Sequence, residues 1–241
     1  MKNLLRILFV LLLARPLVRL WLGITVRHQR RLPLTGPAIV VANHNSHLDI
    51  LTLFSLFPLS VIPNVHPAAA ADYFLTNRRL AWFATHVIGI IPVIRGGAGS
   101  GRDPLAACRA ALQQGKILIL FPEGTRGEPE NLSEIKAGIW HLLREMPEVP
   151  VVPVYLHGLG RAMGKGQRLP VPFFVDIGVG RPLYWQSEKD LFRAQIRAAL
   201  LQLRDKIRPV MSPEPASALE PEVPLSIELK CSARSVGATE E

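Results

Sequence analysis

Cysteine is scarce in this 241-residue chain. Two thiols cannot frame the disulfide scaffold of a small secreted fold, so Cys108 and Cys231 read as free thiols in a reducing compartment. Acid is missing from residues 1–31, which carry Lys2, Arg6, Arg15, Arg19, Arg27, Arg30 and Arg31 with no Asp or Glu. A clean bilayer span is missing too. Spanning takes about 20 apolar residues, and a span forced here would bring Arg15 near the bilayer centre at about 2.5–3.5 kcal/mol. There is no internal repeat and no recognisable nucleic-acid module. Ala14-Arg15-Pro16 makes a poor cleavage site, which argues against a removed signal peptide.

What is present is apolar bulk beside positive charge. The chain is 49% hydrophobic, enough for one substantial core, so one domain with appendages is expected. Residues 1–210 carry 26 Lys+Arg against 13 Asp+Glu, whereas 211–241 carry 2 against 6. A basic body calls for an anionic partner. Leucines and Phe9 woven among the N-terminal cations select an anionic membrane surface over nucleic acid. Residues 1–30 therefore read as a basic amphipathic anchor of two short helices kinked at Pro16. Arg15 and Arg19 stay at the headgroups while the Leu/Phe surface dips in. Residues 31–210 form the main domain, and the Pro- and Glu-rich 211–241 segment reads as a disordered tail.

Along the domain, short apolar runs alternate with helical patterns. Ala38–Ala42, Val87–Ile94, Lys116–Phe121, Val151–Leu156 and Phe173–Val179 read as strands. Helices are expected over Asp49–Phe57, Asn77–Thr85, Asp103–Gln114, Ser133–Met146 and from Ser187 to near Ile207. The alternation predicts an α/β fold: a central, mostly parallel or mixed sheet flanked by helices, with N-terminal membrane-associated helices.

Two strings carry chemistry: Asn43-His44-Asn45-Ser46-His47-Leu48-Asp49 and Phe121-Pro122-Glu123-Gly124-Thr125-Arg126. In one straight helix, positions five apart differ by about 500°, leaving side chains roughly 140° apart. His44 therefore belongs in the turn after the Ala38–Ala42 strand, with Asp49 reaching back from the first turns of the next helix. A histidine suits general-base work near neutral pH, and a carboxylate on its other ring nitrogen fixes the tautomer. A strand-end histidine making structural hydrogen bonds is the plainer alternative. A metal site from His44, His47 and Asp49 lacks a fourth ligand. In the second string, Gly124 lets backbone N–H groups approach a phosphate, Thr125 offers a hydroxyl and Arg126 a bidentate fork. Glu123 reads either as orienting Arg126 or as binding a glycerol hydroxyl.

These strings, with Gly89-Ile90-Ile91-Pro92-Val93-Ile94-Arg95 and Val149-Pro150-Val151-Val152-Pro153-Val154, stand in the order found in the 1-acylglycerol-3-phosphate acyltransferases, a family of membrane lysophospholipid acyltransferases that the chain resembles over roughly residues 30–185. Pro92 replaces a usual aromatic residue, and Gly127 stands where Ser is common. The resemblance implies a glycerolphosphate-acyltransferase-like fold. It also implies transfer of a fatty acyl group from acyl-CoA or acyl-carrier protein to the sn-2 hydroxyl of lysophosphatidate. His44 is the implied base and Asp49 its orienting acid, with no acyl-enzyme, no metal and no organic cofactor. Arg95, Glu123, Gly124, Thr125, Arg126 and Lys136 are the implied acceptor-binding residues, on an enzyme held at the cytoplasmic face of a membrane. Another lysophospholipid, glycerol phosphate or an aminolipid is the alternative acceptor, and a non-catalytic membrane tether is the alternative class. Leu51, Leu53, Phe54, Leu56 and Phe57 read as an acyl groove or, more plainly, as core.

Overall fold

The computed structural model describes residues 2–74, 77–94, 103–125, 127, 131–163 and 169–207. Arg95, the Gly96–Gly101 loop, Arg126, Lys165, Arg168 and the 211–241 segment lie outside them.

The chain begins as a helical run. Helix α1 (Lys2–Phe9) continues through wide π-helical turns at Val10–Ala14 and Leu17–Trp21, with helical backbone angles at Arg15 and Pro16 between them. Arg6, Val10, Ala14, Val18 and Leu22 are buried, one every four positions. At 3.6 residues per turn such a stripe would drift by about 160° over four steps, whereas looser π winding keeps it on one face. The expected pair of helices divided at Pro16 is thus one run seated on the domain, and the next residues, β1 (Gly23–Arg27), join the sheet. No helix among the described residues is long and apolar enough to cross a membrane.

Among the described residues the sheet has seven strands: β1, β2 (Ala38–Ala42), β3 (Val65–Ala70), β4 (Ile91–Val93), β5 (Ile117–Leu120), β6 (Val151–His157) and β7 (Phe174–Val179), in the spatial order β1-β7-β6-β2-β5-β3-β4. β6, β2, β5, β3 and β4 are mutually parallel, β7 is antiparallel to β6, and β1 runs with β7. The mostly parallel sheet is as expected. Two strands went unread in the sequence: β1 lies within the basic anchor-like segment, and β3 is Val-His-Pro-Ala-Ala-Ala, a poor strand former placed by its register on β5 (Val65↔Ile117, Pro67↔Ile119).

Helices cover both faces. One side holds the N-terminal run and α2 (Leu48–Leu56), with Val10, Leu22, Leu53, Phe54 and Phe57 packed on Val40, Ile117, Ile119 and Val154. The other holds α5 (Ala106–Gln113), α6 (Gly138–Leu143) and α8 (Lys189–Ile207), whose Phe192, Ile196, Leu200, Leu203 and Ile207 line up at helical spacing against Ile39, Val41 and Tyr155. Short helices α3 (Ala71–Phe74), α4 (Arg78–Phe83) and α7 (Leu159–Ala162) are the other α-helices among the described residues. Val87–Ile94 yields only the three-residue edge strand β4, because Ala84–Ile88 winds as a π turn ending at Gly89, φ 77°. On that edge Pro92 lacks no partner, since an edge strand tolerates proline.

Candidate active site

Strand β2 is buried at all five positions, which fixes its exit at the C-terminal edge of the parallel strands. Open α/β sheets commonly bind ligands at this edge. Asn43 secures the exit: its amide donates to the Leu156 carbonyl at 2.9 Å and accepts the Leu156 N–H at 2.7 Å, tying β2 to β6. Ser46 opens the helix that follows. Its hydroxyl accepts the Leu48 N–H at 3.1 Å and donates to the Met163 carbonyl at 2.7 Å.

His44 and Asp49 meet as the spacing argument requires. His44 Nδ1 lies 2.8 Å from Asp49 Oδ2, and the same oxygen accepts the backbone N–H groups of Asn45 (2.7 Å) and Ser46 (2.9 Å). Asp49 is completely buried, while the His44 side chain keeps 20% of its surface. An oxygen facing three donors is an acceptor, so Nδ1 carries the imidazole hydrogen and Nε2 holds the lone pair. His47 is exposed at the start of α2. Phe121, at the exit of β5, stacks on the imidazole with ring centroids 4.1 Å apart and planes 20° apart, fixing the ring from its face. Phe121 stood in the motif, yet its partner could be known only once β5 lay beside β2.

Glu123 meets main chain on both sides. Its carboxylate is buried and both oxygens are occupied by main chain: Oε1 accepts the His44 N–H at 2.9 Å and Oε2 the Ser133 N–H at 2.8 Å. It clamps three segments together. A further bond from the Gly127 N–H to the His44 carbonyl, 3.0 Å, closes the same corner. Pairing with this turn also holds Ser133 and, through the Lys136 N–H to the Pro122 carbonyl at 2.9 Å, the following residues out of helix. That is why the expected Ser133–Met146 helix shortens to Gly138–Leu143.

Gly124 has φ 73°, left-handed backbone that favours glycine, and its own N–H donates to the Phe121 carbonyl at 3.0 Å. That bond closes the turn. Lys136 lies across this glycine, where a Cβ would come within 2.8 Å of Nζ, so the ammonium sits on the motif turn. Thr125 is exposed beside it. The expected cluster thus assembles His44, Asp49, Glu123, Gly124, Thr125 and Lys136 around the adjacent exits of β2 and β5. Arg95 and Arg126 fall outside the described residues. Leu53, Phe54, Leu56 and Phe57 are buried in the core, with Leu51 packed against it, so the plainer reading of that stretch holds. Arg161 lies over the Phe173 ring at 5.9 Å.

A helix-flanked, mostly parallel sheet with a buried-carboxylate-supported histidine at the exit of its central strand is an α/β enzyme architecture. A family model described as Acyltransferase matches residues 23–157, more than half of the chain, and the chain belongs to that family. It is 28% identical over 159 residues to the chloroplastic 1-acyl-sn-glycerol-3-phosphate acyltransferase BAT2 of Brassica napus, covering 62% of this chain and 44% of the relative. It is 27% identical over 151 residues to the alpha form from Mus musculus, covering 60% and 49%. With Dictyostelium discoideum Taffazin it shares 30% over 166 residues, covering 63% and 56%. The chain thus spans about half the length of these relatives. Its fold matches the crystal structure of the 1-acyl-sn-glycerophosphate acyltransferase from Thermotoga maritima with a TM-score of 0.66 at 21% identity, over 84% of this chain and 80% of that one.

Proposed function

We propose that the protein transfers a fatty acyl group from an acyl thioester, acyl-CoA or acyl-carrier protein, to the sn-2 hydroxyl of lysophosphatidate. The observation that carries this reading is the 2.8 Å His44–Asp49 pair, with Nε2 as the remaining acceptor at the sheet edge. An alcohol becomes a competent nucleophile as its proton leaves. Nε2 of His44 takes the hydroxyl proton while the oxygen attacks the thioester carbonyl. Asp49 stabilises the imidazolium, and collapse of the tetrahedral intermediate expels the thiolate, which recovers the proton from Nε2. No acyl-enzyme, metal or organic cofactor enters this sequence. Lys136, together with Arg95 and Arg126, supplies positive charge for the acceptor phosphate.

Membrane attachment through the N-terminal run, facing the cytoplasm, completes the reading. Its support is the outer surface of that run, where Leu4, Leu5, Leu8, Leu11, Leu12, Leu13 and Leu20 are exposed. The test is acyl transfer by purified protein on vesicles, with both donor types offered against lysophosphatidate, other lysophospholipids, glycerol phosphate and aminolipids, beside His44→Ala. Turnover that vanishes in the variant supports the base and identifies the acceptor. Undiminished turnover removes His44, and folded protein that binds membranes with no turnover on any acceptor favours a tether.

A further inference from the structure

Asp49 is the first acidic residue of the chain, and a second acid-free stretch runs from Tyr73 to Arg102. The fold lays these two stretches side by side. Phe9 meets Phe83 edge-on, with centroids 5.6 Å apart, and the Arg6 side chain lies over Gly89, where a Cβ would fall 2.7 Å from its Cζ. The neighbour so positioned is α4 with its π-helical continuation.

The outer side of α4 has the composition of a bilayer interface. Arg78 and Arg79 are exposed and have no acidic partner among the described residues. Leu80 is 39% and Trp82 52% exposed. Asn77, Arg78, Arg79 and Trp82 line an open groove of about 630 Å³. Trp82 does not dangle: its indole stacks on His86 at 5.2 Å with planes 10° apart. Asn77 braces the helix start by accepting the Arg79 N–H at 2.9 Å. A rigid indole beside exposed guanidinium groups suits the headgroup layer, where Trp and Arg concentrate.

We propose that α4 is a second, headgroup-level membrane contact, in which Arg78 and Arg79 engage the phosphates of anionic phospholipids and Trp82 lies at the interface. It rests on the membrane-bound reading above and adds to the leucine surface of α1 a lipid-charge preference that leucine cannot supply. The surface commits to lipid because α4, which exposes Leu80 and Trp82, meets through Phe83 the helix that carries the exposed leucines, a continuity that a soluble phosphate ligand does not need. Because α4 belongs to the crossover from β3 to β4, two of the parallel strands, this contact also restrains how the sheet is oriented above the bilayer.

The experiment uses the full chain with Arg78→Gln/Arg79→Gln, Arg78→Glu/Arg79→Glu and Trp82→Phe, each checked for folding by circular dichroism. Partition is measured on phosphatidylcholine vesicles with and without phosphatidylglycerol, and CoA binding is measured separately. Two surface cations at about 1 kcal/mol each predict a roughly thirtyfold loss of partition onto anionic vesicles for the double Gln variant. A further loss for the Glu variant and unchanged partition onto phosphatidylcholine are expected. Emission of Trp82, isolated by subtracting the Trp82→Phe spectrum, shifts to the blue on anionic vesicles. Wild-type preference for anionic vesicles in both Arg variants overturns the proposal. Unchanged partition with weakened CoA binding also overturns it, in favour of a donor site. Failure of the wild type to bind any vesicle refutes the membrane reading itself.

Discussion

Glu123→Gln separates two roles for a residue whose neighbours in sequence point toward substrate. The substitution keeps the shape of the side chain and replaces one acceptor oxygen with an NH2 group. In either amide orientation, the N–H of His44 or of Ser133 then faces a donor. Leaving one buried donor unsatisfied costs about 1–3 kcal/mol. Domains are stable by about 5–15 kcal/mol, so the fold survives with Tm lowered by about 2–4 °C per kcal/mol. The damage falls on the main chain of His44, and a displacement of about 1 Å at a reacting group costs on the order of 10²-fold in rate. Steady-state kinetics on vesicles should show kcat down by about 10²-fold with acceptor KM altered less than about threefold. A raised acceptor KM with kcat and Tm retained would refute the clamp and return Glu123 to the acceptor site.

Asp49→Asn removes the charge that stabilises the imidazolium and fixes its tautomer, so kcat should fall by about 10²–10⁴-fold with the protein still folded; a pH–rate profile identical to wild type would exclude Asp49 from orienting the base. Leu12→Gln with Leu20→Gln removes two exposed apolar side chains at about 1.5–3 kcal/mol each, so vesicle partition should fall by at least about 10²-fold with Tm unchanged; full retention would put the attachment elsewhere. Deleting residues 1–22 instead should unfold the domain, because Val10, Ala14, Val18 and Leu22 are core; a stable, cooperatively melting truncation would contradict that packing. His66 is held below the ordinary histidine range by burial and then by the Arg6 guanidinium, with Lys116 adding to the effect. The unfolded chain therefore takes up the proton first on acidification, and stability falls from about 6.5 down to the lowered folded value. Tm measured between about pH 7 and about pH 5 should decline less in His66→Gln than in wild type, and parallel declines would remove His66 as the cause.

Arg6 shows how far the sequence could mislead. It reads as one of seven cations of a basic amphipathic anchor, yet it is buried, donating to the carbonyls of Pro63 (3.1 Å) and Val65 and lying near His66, and burial lowers its pKa to about 10. Its four-residue offset from Val10 placed it on the inner stripe, and nothing local distinguishes that stripe from the outer leucines. Glu123 was obscured for a related reason. Carboxylate chemistry beside an arginine suggests substrate, whereas its partners are main-chain groups 79 and 10 residues away.

The sequence by itself determined the parts whose cause is local. Apolar runs bounded by turns marked five of the seven strands, the angular mismatch of positions 44 and 49 required a turn before α2, and the spacing of charge divided a basic body from an acidic end. The tertiary structure alone decided what depends on pairing across long chain separations. It made a strand of Val65–Ala70 because β5 offered a ladder, stacked Phe121 on His44 because β5 lies beside β2, bound both oxygens of Glu123 to main chain, and set α4 against the N-terminal run. Local propensity and spacing carry no information about which distant donor or ring will arrive. Burial does, because a polar group taken out of water must find its partner wherever the fold brings one.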